Sequence, residues 1–304
     1  MKKITSMLIV VIMIFSFCAC GELSTTTNPD GGASQNNSGK ETKDNETEKT
    51  VDKITFTELV AVDNSECSIK ITGIEEDSIF GFTLKAQLEN KSADKSYMFS
   101  VKTAAVNGVE CDPFFASEVA AGKKSNEKIT FSDKKLEENN VGDFTDIELT
   151  FSVHDSKDFT ADDVAEKTVH IYPYGEDKAV KFEREPQSSD NIILDNDYVT
   201  VIVTGYKNDD IWGYSANIYF VNKTDKNIMF SVDEASVNGF MVDPFFATSL
   251  SAGKCSFNSI TWSKTALEEN NITNVEKIEF KLRVHDAENW LDDDIANETV
   301  VLNP

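Results

Sequence analysis

Two histidine–aspartate pairs are the residues of this chain with the clearest potential for chemistry. His154-Asp155 and His285-Asp286 each follow a run of alternating apolar residues. A histidine held by an aspartate serves as a general base when a nucleophile lies within reach, but no Gly-x-Ser-x-Gly turn is present to supply one. Strand alternation places both histidines on an outer face. They are therefore either ordinary surface residues or, together with Trp290, part of a surface for a ligand or partner.

Acidic loops follow both histidines and offer the oxygen ligands that calcium prefers. The spacing does not fit an EF-hand loop, so each loop is either a weak calcium site or a solvated turn. No other cofactor is predicted. The calcium hypothesis assigns three carboxylates to each site, namely Asp155, Asp158 and Asp162 in the first loop and Asp286, Asp292 and Asp293 in the second.

The segments that hold these residues occur twice in the chain. Val-Asn-Gly and Asp-Pro-Phe-Phe each recur with an offset of 131 residues, so that Pro113 is repeated as Pro244. The same offset relates the two Leu-Glu-Glu-Asn-Asn and Val-His-Asp segments. Nearer the start of each copy the offset is 132, because one residue is missing from a polar turn that follows Lys91. The repeat predicts two homologous domains, 51–173 and 178–304.

Apolar residues alternate with polar ones in both copies, which predicts β-strands with one buried face. The pattern spans residues 67–71 and 147–153, and it returns at 199–203 and 278–284. Asn-Gly between apolar residues predicts a tight hairpin in each copy. One short helix per copy is expected, with Ser132 or Ser263 as its N-cap and Asn140 or Asn271 as its end. The predicted fold class is all-β, with two tandem immunoglobulin-like β-sandwich domains.

Several aromatic residues are retained in both copies. Phe114-Phe115 and Phe245-Phe246 form either an exposed platform for a sugar or partner or, as we favour, a plug at the bottom of each sandwich. The tryptophans replace phenylalanines of the first copy, which suggests packing positions, and the one beside the acidic loop is expected to be the most exposed. These exchanges are Phe80 to Trp212, Phe131 to Trp262 and Phe159 to Trp290.

Three cysteines lie beyond the N-terminal segment. Cys67 and Cys111 correspond to valines of the second copy, so both are expected to face inward. They are either two separate small buried residues or a disulfide, which an exported protein permits. Cys255 corresponds to Lys124 and is therefore expected to be exposed and unpaired.

The N-terminus reads as an export signal. A basic start is followed by an apolar run over residues 7–17, too short to span a bilayer but suited to a signal peptide. Phe-Cys-Ala-Cys-Gly then resembles a lipobox, with Cys20 as the lipidated residue; the alternative is an ordinary cleaved signal peptide. Residues 1–20 are thus assigned to the signal peptide. Residues 21–50 have almost no large apolar side chain and are predicted to be a disordered tether.

The repeated motifs resemble a known group of proteins. These motifs are Val-Asp-Asn or Leu-Asp-Asn, a Gly-aromatic strand, Met-Phe-Ser-Val, Val-Asn-Gly, Asp-Pro-Phe-Phe, Ala-Gly-Lys, Leu-Glu-Glu-Asn-Asn and Val-His-Asp. Over residues 57–304 the sequence resembles uncharacterised lipoproteins of Gram-positive bacteria that carry tandem immunoglobulin-like domains of unknown function. The resemblance implies the fold and a location on the outer side of the cell membrane. It implies no activity.

Charge narrows the classes of partner. Beyond residue 20 the chain has 53 acidic and 27 basic residues, a net charge of −26, which disfavours nucleic acid as a partner. We expect a membrane-anchored, non-enzymatic binding or adhesion module for an extracellular protein or glycan. The alternative is a structural or accessory lipoprotein of an envelope or transport complex without its own ligand. A hydrolase is a third, less supported hypothesis, because no acid, base and nucleophile converge.

Overall fold

The structure is a computed structural model that describes residues 53–76, 81–131, 134–158, 160–244, 246–289 and 291–304. The signal peptide, Cys20 and the tether lie outside these residues, as do Phe80, Ser132, Phe159, Phe245 and Trp290. In the part of the chain described, no helix is both long and apolar enough to cross a membrane.

The first copy of the repeat folds as two antiparallel sheets. One sheet has the order β1–β2–β3–β7, formed by Leu59–Asp63, Cys67–Glu75, Phe82–Asn90 and Lys124–Phe131. The other sheet has the order β5–β4–β8–β9, formed by Val109–Cys111, Tyr97–Val106, Ile147–Asp155 and Ala165–Ile171. A further strand, β6 (Ala116–Val119), pairs with β4. The short helix α1 (Lys134–Glu138) follows β7.

The second copy has the same arrangement. One sheet has the order β10–β11–β12–β16, formed by Asn191–Asp195, Val199–Asp209, Gly213–Asn222 and Cys255–Ser263. The other has the order β14–β13–β17–β18, formed by Phe240–Met241, Ile228–Val237, Ile278–Asp286 and Ala296–Leu302. Strand β15 (Ala247–Leu250) pairs with β13. Helix α2 (Lys264–Glu269) follows β16, and a 3₁₀ turn (Glu176–Lys178) lies in the linker between the copies.

Alternating burial shows why these sequences form sandwiches. Val153 and Val284 are fully buried and face Phe99 and Phe230, which are equivalent residues of the two copies. Buried side chains form two hydrophobic clusters, one in each copy. The all-β fold with two tandem immunoglobulin-like sandwiches is therefore confirmed.

The turns follow the sequence signals closely. Asn107-Gly108 and Asn238-Gly239 have positive φ at both positions and join β4 to β5 and β13 to β14, as a type I′ hairpin requires. Ser263 caps α2 by accepting a hydrogen bond from the Ala266 N–H at 3.2 Å. The predicted hairpins and the predicted cap of the second helix are thus confirmed.

The two sandwiches share a sheet, which the repeat alone does not predict. Strand β16 pairs in parallel with β5 through Cys255 and Val109, so that one nine-stranded sheet passes through both copies. Tyr219 and Cys255 of the second copy join the buried cluster of the first. The copies are therefore joined by packing as well as by the linker.

The chain enters and leaves the first sandwich at one place. The N–H groups of Thr55 and Phe56 both donate hydrogen bonds to the carbonyl of Pro173, at 2.9 and 3.1 Å. Strand β1 begins just after Phe56, and β9 ends just before Pro173. Both termini of this sandwich thus lie beside the linker that leads to the second.

Candidate binding site

The histidines of the two repeats occupy equivalent places in separate sandwiches. His154 on β8 lies opposite Met98 on β4, and His285 on β17 lies opposite Met229 on β13. Both are half-buried, so the prediction that they stand on an outer face holds only in part. The buried Nδ1 atom of His285 has no hydrogen-bond partner among the described residues. The structure does not bring the two histidines into one site.

The carboxylates of the acidic loops hold the loops themselves. Asp286 accepts hydrogen bonds from Lys226 Nζ at 2.8 Å and from the N–H groups of Glu288 and Asn289. These contacts lower its pKa to about 2, with the Lys226 bond as the largest cause. Asp155 likewise accepts from the Lys157 N–H. Turn and ion-pair formation thus explains these carboxylates.

No calcium site is found in the described part of the chain. Among the residues described there, no group of three or more His, Cys, Asp or Glu side chains is arranged to hold a metal ion. Asp158 accepts hydrogen bonds from the backbone and hydroxyl of Thr160. Asp162, Asp292 and Asp293 are exposed. These contacts are those of solvated turns, and calcium binding at either loop stays a prediction.

The cysteines differ from expectation at one position. Cys67 is fully buried, and burial raises the pKa of its thiol to about 11. Cys111 is half-buried, and neither forms a disulfide. Cys255 was expected to be exposed, but only 5% of it is accessible, because the first sandwich packs over it. The expectation of exposure came from the equivalent residue, Lys124, and it was wrong because no second sandwich packs against Lys124 as the first packs against Cys255.

The aromatic residues also divide between core and surface. Trp262 is fully buried, as expected of a packing position, whereas 72% of Trp212 and 90% of Phe114 are exposed. The predictions that Trp212 packs in the core and that Phe114 plugs the bottom of the sandwich were therefore wrong. Phe115 and Phe246 are half-buried, and Phe246 stacks on Phe220 with ring centroids 5.9 Å apart.

A cleft recurs at the same place in both sandwiches, between the start of the third strand and the short helix. The first cleft, of about 350 Å³, is lined by Phe82, Leu136, Glu137 and Phe144. The second cleft, of about 280 Å³, is lined by the equivalent residues Tyr214, Leu267, Glu268 and Val275. Retention of a concave site through an internal duplication makes it the candidate binding site.

The two clefts differ in polarity. In the first, Phe82, Phe131 and Phe144 form a cluster with ring centroids 4.7 to 6.4 Å apart. The second is more polar, with Tyr214 stacked on Tyr206 at 6.1 Å. Its further polar lining residues are Asn208, Asp209, Asp210, Lys264, Thr273 and Asn274. The repeats therefore present similar shapes with different chemistry.

A rigid apolar tip stands beside the second cleft. The β11–β12 hairpin ends in Ile211 and Trp212, which are 76% and 72% exposed. Asp209 Oδ1 accepts hydrogen bonds from both of their N–H groups, at 2.9 and 3.0 Å, and these bonds lower the pKa of Asp209. The Lys264 N–H donates to the Trp212 carbonyl at 3.2 Å. We call Ile211 and Trp212 the apolar tip.

Gly213 fixes the direction of the apolar tip. Its φ is +107°, a conformation that side-chain-bearing residues rarely adopt. A Cβ atom at this position would lie 2.3 Å from the Trp262 carbonyl oxygen and 2.5 Å from the Lys264 nitrogen. The hairpin end therefore lies directly against the backbone that begins α2, and this close approach fixes the tip beside the cleft.

The junction between the sandwiches has a specialised surface on the second copy. The outer face of its sheet carries Tyr219 and Phe257, with ring centroids 4.9 Å apart. Phe182 of the linker packs on Phe257 at 5.9 Å, and the Arg184 guanidinium lies 5.5 Å from the Tyr219 ring centre. Asp190 holds Arg184 through two hydrogen bonds of 2.7 Å.

The first copy has polar residues at the same places. Gln87 pairs with Asn126 across β3 and β7 in the register in which Tyr219 pairs with Phe257 across β12 and β16. Lys70 likewise stands where the second copy has Ile202. Comparison of the outward positions of the two repeats would have located this interface in the sequence, but inward positions alone do not reveal it.

Hydrogen bonds also join the two sandwiches at the junction. The Cys255 N–H donates to the Gly108 carbonyl at 3.1 Å, and the Ser251 N–H donates to Glu110 Oε2 at 2.9 Å. Burial raises the pKa of Glu110. A cavity of about 330 Å³ remains beside this contact, with Glu110 and Phe257 in its wall.

Comparison with known proteins gives distant similarities to solved structures. No protein-family profile and no curated protein matches the sequence. The CsuC–CsuE chaperone–tip adhesion subunit pre-assembly complex from the archaic chaperone-usher Csu pili of Acinetobacter baumannii is similar at 12% identity and a TM-score of 0.21, over 72% of this chain and 90% of that one.

Red sea bream transglutaminase is similar at 10% identity and a TM-score of 0.20. The match covers 80% of this chain but only 31% of the transglutaminase chain. At these TM-scores neither similarity carries an argument about function. The assignment of the sandwich fold rests on the strands and sheets of this chain itself.

Proposed function

We propose that this protein is a lipid-anchored, non-enzymatic binding module on the outer side of the cell membrane. The observation that carries the binding role is the apolar tip, Ile211 and Trp212, which is held by backbone hydrogen bonds beside the second cleft. Large apolar side chains on a soluble surface are costly when they stand together, and such patches mark sites of interaction. Because the tip is fixed by Asp209 and Gly213, it would lose little conformational entropy on binding.

The ligand is either an extracellular protein or a glycan, and both suit this chemistry. Tryptophan is enriched among residues that dominate binding energy, and it also stacks on sugar rings through its π face. The carboxylates and amides of the second cleft could then fix orientation by hydrogen bonds. The similar first cleft offers a second point of attachment, which would increase avidity.

Site-specific photocrosslinking on intact cells tests the binding role. A benzophenone amino acid replaces Trp212 in the full chain, and in a matched control it replaces Tyr198. Tyr198 is 56% exposed at the opposite end of strand β11. We expect a discrete crosslinked product from position 212 only, with its yield lowered by Ile211→Ser. Equal labelling from both positions, or none from either, contradicts the proposal.

The membrane anchor has its own test. Cys20→Ala should move the protein from the membrane fraction to the medium, because Cys20 would carry the two acyl chains that stable anchoring requires. Cys18→Ala is the matched control and should leave the protein in the membrane fraction. If the Cys20 variant still fractionates with membranes, the anchor assignment is wrong, whatever the outcome at Trp212.

A further inference from the structure

The junction within the chain is made by two different surfaces, and the duplication gives each sandwich both of them. The first sandwich contributes the β5 edge, where Gly108 and Val109 lie, together with Glu148. We call this the acceptor surface. The second contributes the turn Ser251–Cys255, with Lys254 reaching Glu148 at 2.5 Å. We call this the donor surface. One acceptor and one donor are consequently left unused.

The unused acceptor lies on the second sandwich and is exposed. Strand β14 is an edge of its sheet, with β13 as its neighbour among the described strands. Its residues Phe240 and Met241 are 51% and 65% exposed, whereas the equivalent of Phe240 in the first sandwich, Val109, is 1% exposed. An edge strand that presents two adjacent large apolar side chains is a template for pairing with another chain.

The unused donor lies on the first sandwich. It is the turn Ala120–Lys124, in which Lys123 is the equivalent of Lys254 and is exposed. The equivalent of Glu148 is Glu279, whose side chain is 39% exposed beside Lys277 at 2.9 Å. An exposed pair of this kind contributes little to stability, so Glu279 can exchange partners at small cost. Both halves of the ion pair thus recur at the two unused surfaces.

We propose that a second copy of this chain docks head to tail at these surfaces. The turn Ala120–Lys124 in the first sandwich of one molecule adds to the β14 edge in the second sandwich of the next molecule. In this contact Lys123 pairs with Glu279, and the Lys124 N–H donates to the Gly239 carbonyl. The contact repeats the one between the sandwiches of a single chain. Because donor and acceptor are different surfaces, the contact is heterologous and extends into a line of copies.

The contact between copies is weaker than the junction within a chain. In the contact between molecules, Gln87 and Asn126 take the places that Tyr219 and Phe257 have in the junction within a chain. No linker covers these two polar residues. Phe240 and Met241 supply apolar area from the acceptor side instead. The net charge of −26 beyond residue 20 also opposes association until salt screens it. Association is therefore expected at local concentrations of about 1 mM, of the order that tethering provides.

Sedimentation velocity on charge-exchanged chains tests the proposal. The full chain carries Cys20→Ser, so that no acyl chain drives association, and is studied at up to about 1 mM in physiological salt. The average mass of this parent protein should rise with concentration. Lys123→Glu and Glu279→Lys should each remain monomeric, because each places like charges at the contact. Lys53→Glu, an exposed change of the same charge at the Pro173 end of the first sandwich, opposite the turn Ala120–Lys124, should associate as the parent does.

The combinations of variants make the result decisive. In a one-to-one mixture of the Lys123→Glu and Glu279→Lys chains, the donor surface of each chain meets an opposite charge on the acceptor surface of the other, so the two chains should alternate in longer assemblies. The double variant Lys123→Glu with Glu279→Lys should form longer assemblies again. A parent protein that stays monomeric throughout overturns the proposal. So does a dimer that is insensitive to Lys123→Glu but abolished by Met241→Ser, which would indicate symmetric pairing of two β14 edges.

Discussion

Lys254 of the second sandwich lies 2.5 Å from Glu148 of the first, and the two side chains are only 17% and 20% exposed. Glu148 Oε2 also lies 3.3 Å from His170 Nε2, and His170 Nδ1 is 2.8 Å from Asp146. The ion pair across the junction is thus part of a partly buried network. Its counterpart residue in the first sandwich, Lys123, is exposed. We therefore expect Lys254 to contribute more to the free energy of unfolding than its equivalent, Lys123.

Replacement of Lys254 by alanine tests this difference. The change leaves Glu148 partly buried beside His170 without its lysine, and a lost hydrogen bond to a charged group costs about 1.5–3 kcal/mol. We expect the free energy of unfolding, measured by urea denaturation, to fall by that amount. Lys123→Ala is the matched control and should change it by less than about 0.5 kcal/mol. Equal effects of the two changes would show that the junction ion pair has no special role.

Exchange of residues between the repeats tests the aromatic packing of Phe257 against Tyr219 and Phe182 at the junction. Phe257→Asn installs the residue of the first copy and removes the ring contacts with Tyr219 and Phe182. Since Phe257 is half-buried, we expect a loss of about 1–3 kcal/mol, below the 3–5 kcal/mol typical of a core phenylalanine. The reciprocal change, Asn126→Phe, lies on an exposed face and should leave the melting temperature within a few degrees of wild type. A melting temperature unaffected by Phe257→Asn would contradict the packing role.

A buried asparagine is retained in both copies to hold adjacent loops. Asn222 is 1% exposed and its Nδ2 donates to the carbonyls of Lys226, Leu250 and Ser251, at 2.7 to 3.0 Å. Asn222→Ala leaves these buried carbonyls without their donor, at about 1–3 kcal/mol for an unsatisfied group. We expect calorimetry to show a clearly lower melting temperature. The exposed Asn297→Ala should have little effect, and comparable losses in both variants would argue against the loop-holding role.

The stability of the second sandwich should depend on acid through Asp286. Its pKa is lowered from 3.8 to about 2 in the folded protein, so its contribution is complete above the unfolded value and is lost as the pH falls toward 2. Asp286→Asn removes this contribution, and the melting temperatures of variant and wild type should converge between pH 4 and about 2. The exposed Asp210→Asn serves as control. A difference from wild type that stays constant over this interval would exclude the linkage.

Local sequence signals were sufficient for most of the fold. The alternation around Val153 and Val284 predicted the buried strands, and Asn-Gly with positive φ at both positions predicted the hairpins. These features depend on a few neighbouring residues, whose steric and hydrogen-bonding preferences act in any context. For that reason a single sequence with an internal repeat reveals them.

Burial that depends on a distant surface was not predictable in the same way. Cys255 was expected to be exposed from its equivalence to Lys124, and Trp212 was expected to pack because it replaces Phe80. Cys255 is covered by the edge of another sandwich, and Trp212 projects because a glycine and an aspartate turn the hairpin outward. The two clefts also combine segments more than 50 residues apart in the chain, such as Tyr214 and Leu267. No local pattern reports such a meeting.

The carbonyl of Pro173, which receives the N–H groups of Thr55 and Phe56, determines how the molecule would respond to tension. A pull between residue 53 and the second sandwich acts on two points at the same end of the first sandwich. Strands β1 and β9 would then peel away one hydrogen bond at a time, instead of sliding past their neighbours and breaking many bonds together. The first sandwich would therefore open at low force and lengthen before a ligand held at Trp212 is released.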